Sequence, residues 1–188
     1  MGKTLILIDG HALAFREYYA LERTQMSTSE GTPTWAVYGF CKAIFDLLKK
    51  QKPDAIAVAF DVSHKTFRTE MYEEYKSNRV AMPDPMRAQM ELIYAGLRAF
   101  NIPIYTKEGY EADDVIGTIS KQACELGHKV LILTGDQDAF QLVDKEGCVK
   151  VILPYKGELV EFGWDKIYEK LGVYPNQVID YKGLRGDT

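Results

Sequence analysis

Three stretches of the chain, TLILID (4–9), AIAVAFD (55–61) and KVLILTGD (129–136), are almost unbroken aliphatic runs. A strand with one wet face alternates apolar and polar residues, so these runs predict strands covered on both faces, as in a parallel sheet. Between them, apolar positions recur at helical spacing. TWAVYGFCKAIFDLLKKQ (34–51) is one such stretch, stopped by Pro53; DPMRAQMELIYAGLRAF (84–100) is a second and runs into NIPIY. EADDVIGTISKQACELG (111–127) is a third, starting at its acids and stopped by Gly127. Further on, VKVILPY and ELVEFG have strand character, WDKIYEKLG and PNQVIDYKGL are weaker helices, and STSEGTPT (27–34) is the most loop-like segment. Strands alternating with helices, without internal repeats, predict an α/β fold with a mostly parallel central sheet flanked by helices.

Composition narrows the class. The 188 residues, 46% hydrophobic and 27% charged, suffice for one substantial core and require no second domain. No stretch approaches the roughly 18 apolar residues of a membrane span, and no basic-then-apolar leader precedes the first run. MGKTLI lacks the hydroxyl residue a myristoylation signal needs. Cys41, Cys124 and Cys148 are widely spaced, without a CxxC or a Cys/His cluster, so neither a disulfide framework nor a zinc site is expected. A reducing cytoplasm is the expected compartment. The net charge of −4 decides nothing about a polyanion partner, because the charge is unevenly distributed.

The acids follow the strands. Asp9 directly follows TLILI, Asp61 directly follows AIAVAF, and Asp136 lies two residues past VLILT with Asp138 close behind. The carboxyl ends of parallel strands share one edge, where α/β proteins bind their ligands. The third helix opens with Glu111, Asp113 and Asp114 and precedes the last of these strands. A single aspartate after a strand is an ordinary turn or N-cap residue, and acids at a helix start complement its dipole. Their recurrence at successive strand ends, together with EADD, points instead to a shared cleft. Like charges about 4 Å apart repel by roughly 4 kcal/mol at an effective dielectric near 20, so protons or cations must neutralise such a cluster. Oxygen ligands without His or Cys suit Mg²⁺ or Mn²⁺ rather than Zn²⁺, and one cleft can hold two ions, an arrangement that serves phosphoryl transfer. Asp113 and Asp114 point about 100° apart on a helix and need not reach the same ion.

A second segment suits a nucleic acid. In SHKTFRTEMYEEYKSNRVAMP (63–83), read as a helix, Lys65, Arg68, Tyr72, Tyr75, Lys76 and Arg79 fall within roughly 80° of Arg68, whereas Glu70, Glu73 and Glu74 lie roughly 120° to 200° away. Cations for phosphates and rings for bases share one face. The structural alternative is a solvated amphipathic helix whose tyrosines pack on the core. Two other motifs fail on context: GKT (2–4) precedes a strand, whereas a P-loop follows one, and TGDQD lies far from the first strand, where dehalogenase-type phosphatases carry DxD and this chain has DGH.

The stretches LILIDGHALAFR, AVYGF, VAFD, FRTEMYEEYKSNR, GYEADDVIG, TGDQDAFQLV and LRGD run co-linearly from residue 5 to residue 187. Through them the chain resembles the 5′-nuclease domain of bacterial DNA polymerase I, in the flap endonuclease family with its PIN-like fold. The resemblance implies that Asp9, Asp61, Glu111 and Asp113 hold one Mg²⁺ or Mn²⁺ ion. Asp136, Asp138 and Asp187 belong to a second, with Asp113 or Asp114 between them. It implies a helical arch over about residues 64–90 that threads a single-stranded 5′ end. In that arch Tyr75, Lys76 and Arg79 match, with Lys76 and Arg79 stabilising the scissile phosphate. Arg16 and Arg68 match further phosphate contacts.

The implied reaction is metal-dependent hydrolysis of 5′ flaps or 5′ ends of DNA in replication and repair, leaving a 5′ phosphate and a 3′ hydroxyl. RNA in primers stays open as a substrate. A monomer is expected, with a polymerase in the same natural chain. The family pattern continues past GDT with a further aspartate and a helix-hairpin-helix element, so residues 1–188 are expected as a catalytic domain cut before that element. A DNA-structure-binding module with impaired catalysis is therefore the alternative. A PIN-type ribonuclease toxin is disfavoured by the length of the chain and by EYKSNR.

Overall fold

The computed structural model describes residues 2–62, 66–72, 75, 81–155 and 158–186. The elements are β1 (Thr4–Asp9), α1 (Gly10–Leu21), α2 (Trp35–Gln51), β2 (Ala55–Ala59), α3 (Phe67–Met71), α4 (Asp84–Ala99), β3 (Ile104–Tyr105), α5 (Ala112–Glu125), β4 (Lys129–Leu133), β5 (Val149–Tyr155), β6 (Glu158–Phe162), α6 (Trp164–Leu171) and α7 (Val178–Arg185). Short 3-10 helices span Glu22–Thr24, Gln137–Leu142 and Pro175–Gln177. The strands form one six-stranded sheet in the order β3-β2-β1-β4-β5-β6. Every pairing is parallel except that of β6 with β5.

Both faces of the sheet are covered, which explains the unbroken aliphatic runs. Ile6, Ile8, Val58, Leu131 and Leu133 pack with residues of α1, α2 and α4. Leu7, Ala57, Ala59, Val130, Ile132 and Val151 face the opposite way, onto α5, α6 and α7. Gly127, at φ +75°, ends α5 as expected, and its N–H and that of His128 close on Cys124 O and Ala123 O, each at 2.9 Å. Among the described residues no helix is long and apolar enough to cross a membrane.

Two expectations need correction. The segment 63–83 is not one continuous helix: α3 ends at Met71, and Tyr72 is extended at φ −144°, ψ 105°. A helical stripe therefore does not carry from Arg68 through to Tyr75. The cysteines also differ from expectation, because Cys124 and Cys148 are joined in a disulfide with their Cα atoms 5.9 Å apart. α5 runs back along the sheet and delivers its last turn to the amino end of β5. That meeting depends on the strand order, which cysteine spacing does not encode.

Candidate metal and nucleic-acid site

The strands that end in acids are neighbours. In the register of the sheet Asp9 lies opposite Ala59, and Ile8 opposite Leu133, so Asp9, Asp61 and the segment after Leu133 emerge at one edge. Asp9, only 8% exposed, is the N-cap of α1: its Oδ1 accepts from Ala12 N–H at 3.0 Å and its Oδ2 from the Thr134 hydroxyl at 3.1 Å. The Thr134 oxygen in turn accepts from Asp136 N–H at 3.1 Å, and Asp136 Oδ1 accepts from Asp138 N–H at 2.8 Å. On the other side Asp61 Oδ1 accepts from Ala112 N–H at 2.6 Å, which brings the first turn of α5 to the same edge. Close packing is needed here. A Cβ on Gly10 would lie 2.3–2.6 Å from the buried ring of Phe60, the residue before Asp61.

The start of α3 is fixed to this edge by its backbone. Thr66 bridges Gly109 in parallel, and Phe67 N–H donates to Gly109 O at 3.1 Å. From there Arg68 makes a two-pronged contact with Asp114, at 2.7 and 2.8 Å, and its NH1 lies 3.5 Å from Glu111 Oε2. This pairing raises the pKa of the Arg68 guanidinium above its ordinary value. Asp114 Oδ2 also accepts from Glu111 N–H at 3.0 Å, and Tyr75 OH donates to Glu111 Oε2 at 3.3 Å. Tyr75 thus turns its hydroxyl into the acid cluster. From α7, Lys182 contacts Asp138 Oδ1.

The sequence-derived candidates distribute as follows. Asp9 and Glu111 are buried; Asp61, Asp114, Asp136 and Asp138 are half-buried; Asp113 is exposed on the first turn of α5. Arg68 and Tyr75 join the cluster, Tyr72 is 59% exposed, and Arg16 pairs with Glu17 at 2.9 Å on α1. Lys65, Lys76, Arg79 and Asp187 lie outside the described residues. Sequence reasoning passed over His11, Thr134 and Lys182. DGH and TGD carried the first two in plain view, directly beside the strand-end acids, but Lys182 reaches the site only through the packing of α7.

Burial pushes the Asp9 carboxyl above its usual range and the charge of Asp61 adds to this, against the hydrogen bonds from Ala12 and Thr134. A cation would relieve both. The donors at this edge are carboxylate oxygens, the set that a hard divalent ion takes. Among the described residues only Cys124, Asp144 and Cys148 bring three potential ligand atoms within 4.8 Å of one another. The two sulfurs of that trio are joined to each other. The strand-end carboxylates stand farther apart, a spacing that Mg²⁺ tolerates because it keeps several of its waters.

Residues 4–172 match the family described as the 5′-3′ exonuclease, N-terminal resolvase-like domain. The chain is 46% identical over 189 residues to a DNA polymerase I of Chloroflexus aurantiacus, a match covering 98% of this chain and 20% of that one. It is 40% identical over 185 residues to a 5′-3′ exonuclease of Aquifex aeolicus, covering 98% of this chain and 62% of that one. It therefore spans about a fifth of the length of that polymerase relative. Among solved structures, a T5 protein co-crystallized with metal ions superposes with a TM-score of 0.74 at 23% identity, over 98% of this chain and 67% of that one. The bacteriophage T5 flap endonuclease, in a pseudo-enzyme-product complex with DNA and metal ions, gives 0.72 at 24% over the same shares. Those structural likenesses show the fold, and the sequence match over nearly the whole chain shows the kinship: the chain belongs to the 5′-3′ exonuclease N-terminal, resolvase-like domain family.

Proposed function

We propose that this chain is the nuclease part of a metal-dependent 5′-3′ exonuclease and flap endonuclease that hydrolyses phosphodiester bonds of DNA. The observation that carries the reading is the convergence of Asp9, Asp61, Asp136 and the first turn of α5 at one sheet edge. Asp9, Asp61, Glu111 and Asp113 would hold one ion, and Asp136 and Asp138, with Asp187, a second. Mg²⁺ is the expected ion, with Mn²⁺ as a substitute. Bound there, divalent ions would supply the positive charge that activates a water and offsets charge developing on the phosphate. The chain fixes the geometry: Ala12 N–H and the Thr134 hydroxyl orient Asp9, and Ala112 N–H orients Asp61. Arg68 holds Asp114 and the N-terminus of α5, so Asp114 acts as a positioning residue. Tyr72 and Tyr75, with Lys76 and Arg79, lie on the segment assigned to the incoming strand, and Lys76 and Arg79 are assigned to the scissile phosphate. The polymerase relative supports a polymerase region in the same natural polypeptide.

A 5′-labelled flap DNA incubated with Mg²⁺, Mn²⁺ or EDTA tests this reading. Cleavage that requires metal, leaves a 3′ hydroxyl and disappears in Asp113→Ala supports it. Salt-sensitive binding without cleavage would favour a DNA-structure-binding module instead.

A further inference from the structure

We propose that His11 is a substrate-contacting residue of this site, donating its Nε2–H to a phosphate oxygen of the bound nucleic-acid strand. The proposal rests on the nuclease reading above and adds an imidazole N–H donor to a cleft otherwise built from acids and their cationic partners. His11 is the second residue of α1, two positions after Asp9. Its ring stands edge-on to Phe60, with centroids 5.2 Å apart and planes at 90°. Its Nδ1 lies 3.3 Å from the backbone N of Asp61 and 3.5 Å from Asp61 Oδ2. Nδ1 cannot both accept a proton from the first and donate one to the second. The amide always carries its proton and directs it at Nδ1, so Nδ1 accepts and the ring proton sits on Nε2.

That leaves Nε2–H without a hydrogen-bond partner among the described residues, on a side chain 23% exposed and held in place by Phe60 and Asp61. The helix itself gives no reason for a histidine. The first turn of α1 contains no acid, and imidazole neither caps nor complements a helix start. Held against Asp61 and two positions after Asp9, the Nε2–H matches the anionic oxygens of a phosphodiester drawn to the same edge. Loss of one hydrogen bond to a charged oxygen corresponds to roughly a ten- to hundredfold change.

The test compares wild type, His11→Ala and His11→Gln. One measurement is single-turnover cleavage of 5′-labelled flap DNA across a Mg²⁺ titration; the other is binding of the same DNA in Ca²⁺ by fluorescence anisotropy. His11→Ala should lose roughly tenfold or more in rate at saturating Mg²⁺, with its Mg²⁺ half-saturation unchanged, and should bind DNA more weakly in Ca²⁺. His11→Gln, whose side-chain amide restores an N–H donor, should recover most of both. A defect that saturating Mg²⁺ abolishes would make His11 a mere support for Asp61 and overturn the proposal. So would a glutamine variant no better than alanine. If wild type binds but never cuts, the nuclease reading fails, and the comparison in Ca²⁺ still decides the phosphate contact.

Discussion

Thr134 and Asp9 are 125 residues apart in the chain and meet at 3.1 Å, the hydroxyl donating to Oδ2 of a buried carboxylate. The Thr134 hydroxyl oxygen accepts from Asp136 N–H, so one side chain ties the ends of β1 and β4 to the next acid. Thr134→Val keeps the shape and removes both bonds. Urea unfolding should show a loss of about 1.5–3 kcal/mol, the range for hydrogen bonds to charged groups, and Thr134→Ser should retain most of the wild-type stability. A valine variant as stable as wild type would mean that the hydroxyl does not hold the acids together.

The pairing of Arg68 with Asp114 predicts coupling between α3 and the first turn of α5. The pair is partly exposed, so a double-mutant cycle of Arg68→Ala and Asp114→Ala should give a coupling energy of only about 1 kcal/mol in stability. Arg68→Lys should not restore it, because an ammonium cannot make the two-pronged contact. Loss of cleavage should exceed what the loss of stability accounts for, since Asp114 also accepts from the Glu111 amide.

Asp9 predicts a pH dependence with a definite sign. Burial raises its folded-state pKa above the ordinary 3.8, so the folded state binds this proton more tightly than the unfolded chain does. The stability associated with that protonation is fully present below 3.8 and is lost as pH rises through the folded value. Asp9→Asn, which keeps a neutral side chain at every pH, should therefore melt higher than wild type at neutral pH in EDTA. The difference should shrink on acidification and vanish below 3.8. Mg²⁺ should raise the melting temperature of wild type and leave that of Asp9→Asn nearly unchanged. Thermal melts over a pH series with and without Mg²⁺ check all of these outcomes.

The Cys124–Cys148 bridge closes a loop with a sequence separation of 24. Closing a loop of this size constrains the unfolded chain by about 3 kcal/mol, so reduction should lower the melting temperature by roughly 6–12 °C. Cys124→Ser should melt like reduced wild type and ignore added reductant. The bridge lies at the amino edge of the sheet, away from the acids, so DNA cleavage at room temperature should not change.

The parts of this molecule that could be read from its sequence are those set by local pattern. The runs at 4–9, 55–61 and 129–136 reveal β1, β2 and β4 because burial on both faces removes polar alternation. Pro53 and Gly127 mark helix ends through backbone chemistry. The strand-end positions of Asp9, Asp61 and Asp136 follow from the same runs. The sequence does not mark α1, because its apolar residues, among them Leu13, Ala14, Phe15 and Tyr18, do not gather into one narrow stripe. The disulfide and the contact of Lys182 with Asp138 depend on which elements become neighbours, information carried by strand order rather than by residue spacing. The contact of Arg68 with Asp114 likewise depends on the pairing of Phe67 with Gly109, which residue spacing does not encode.

The proposed chemistry depends on the carboxylates at this sheet edge holding divalent cations. Anomalous diffraction from crystals soaked in Mn²⁺ tests it directly. Density among Asp9, Asp61, Glu111 and Asp113, absent from Asp113→Ala crystals treated identically, is the predicted result. Saturating Mn²⁺ that leaves this edge without density, or that appears only beside Asp144, would contradict the account.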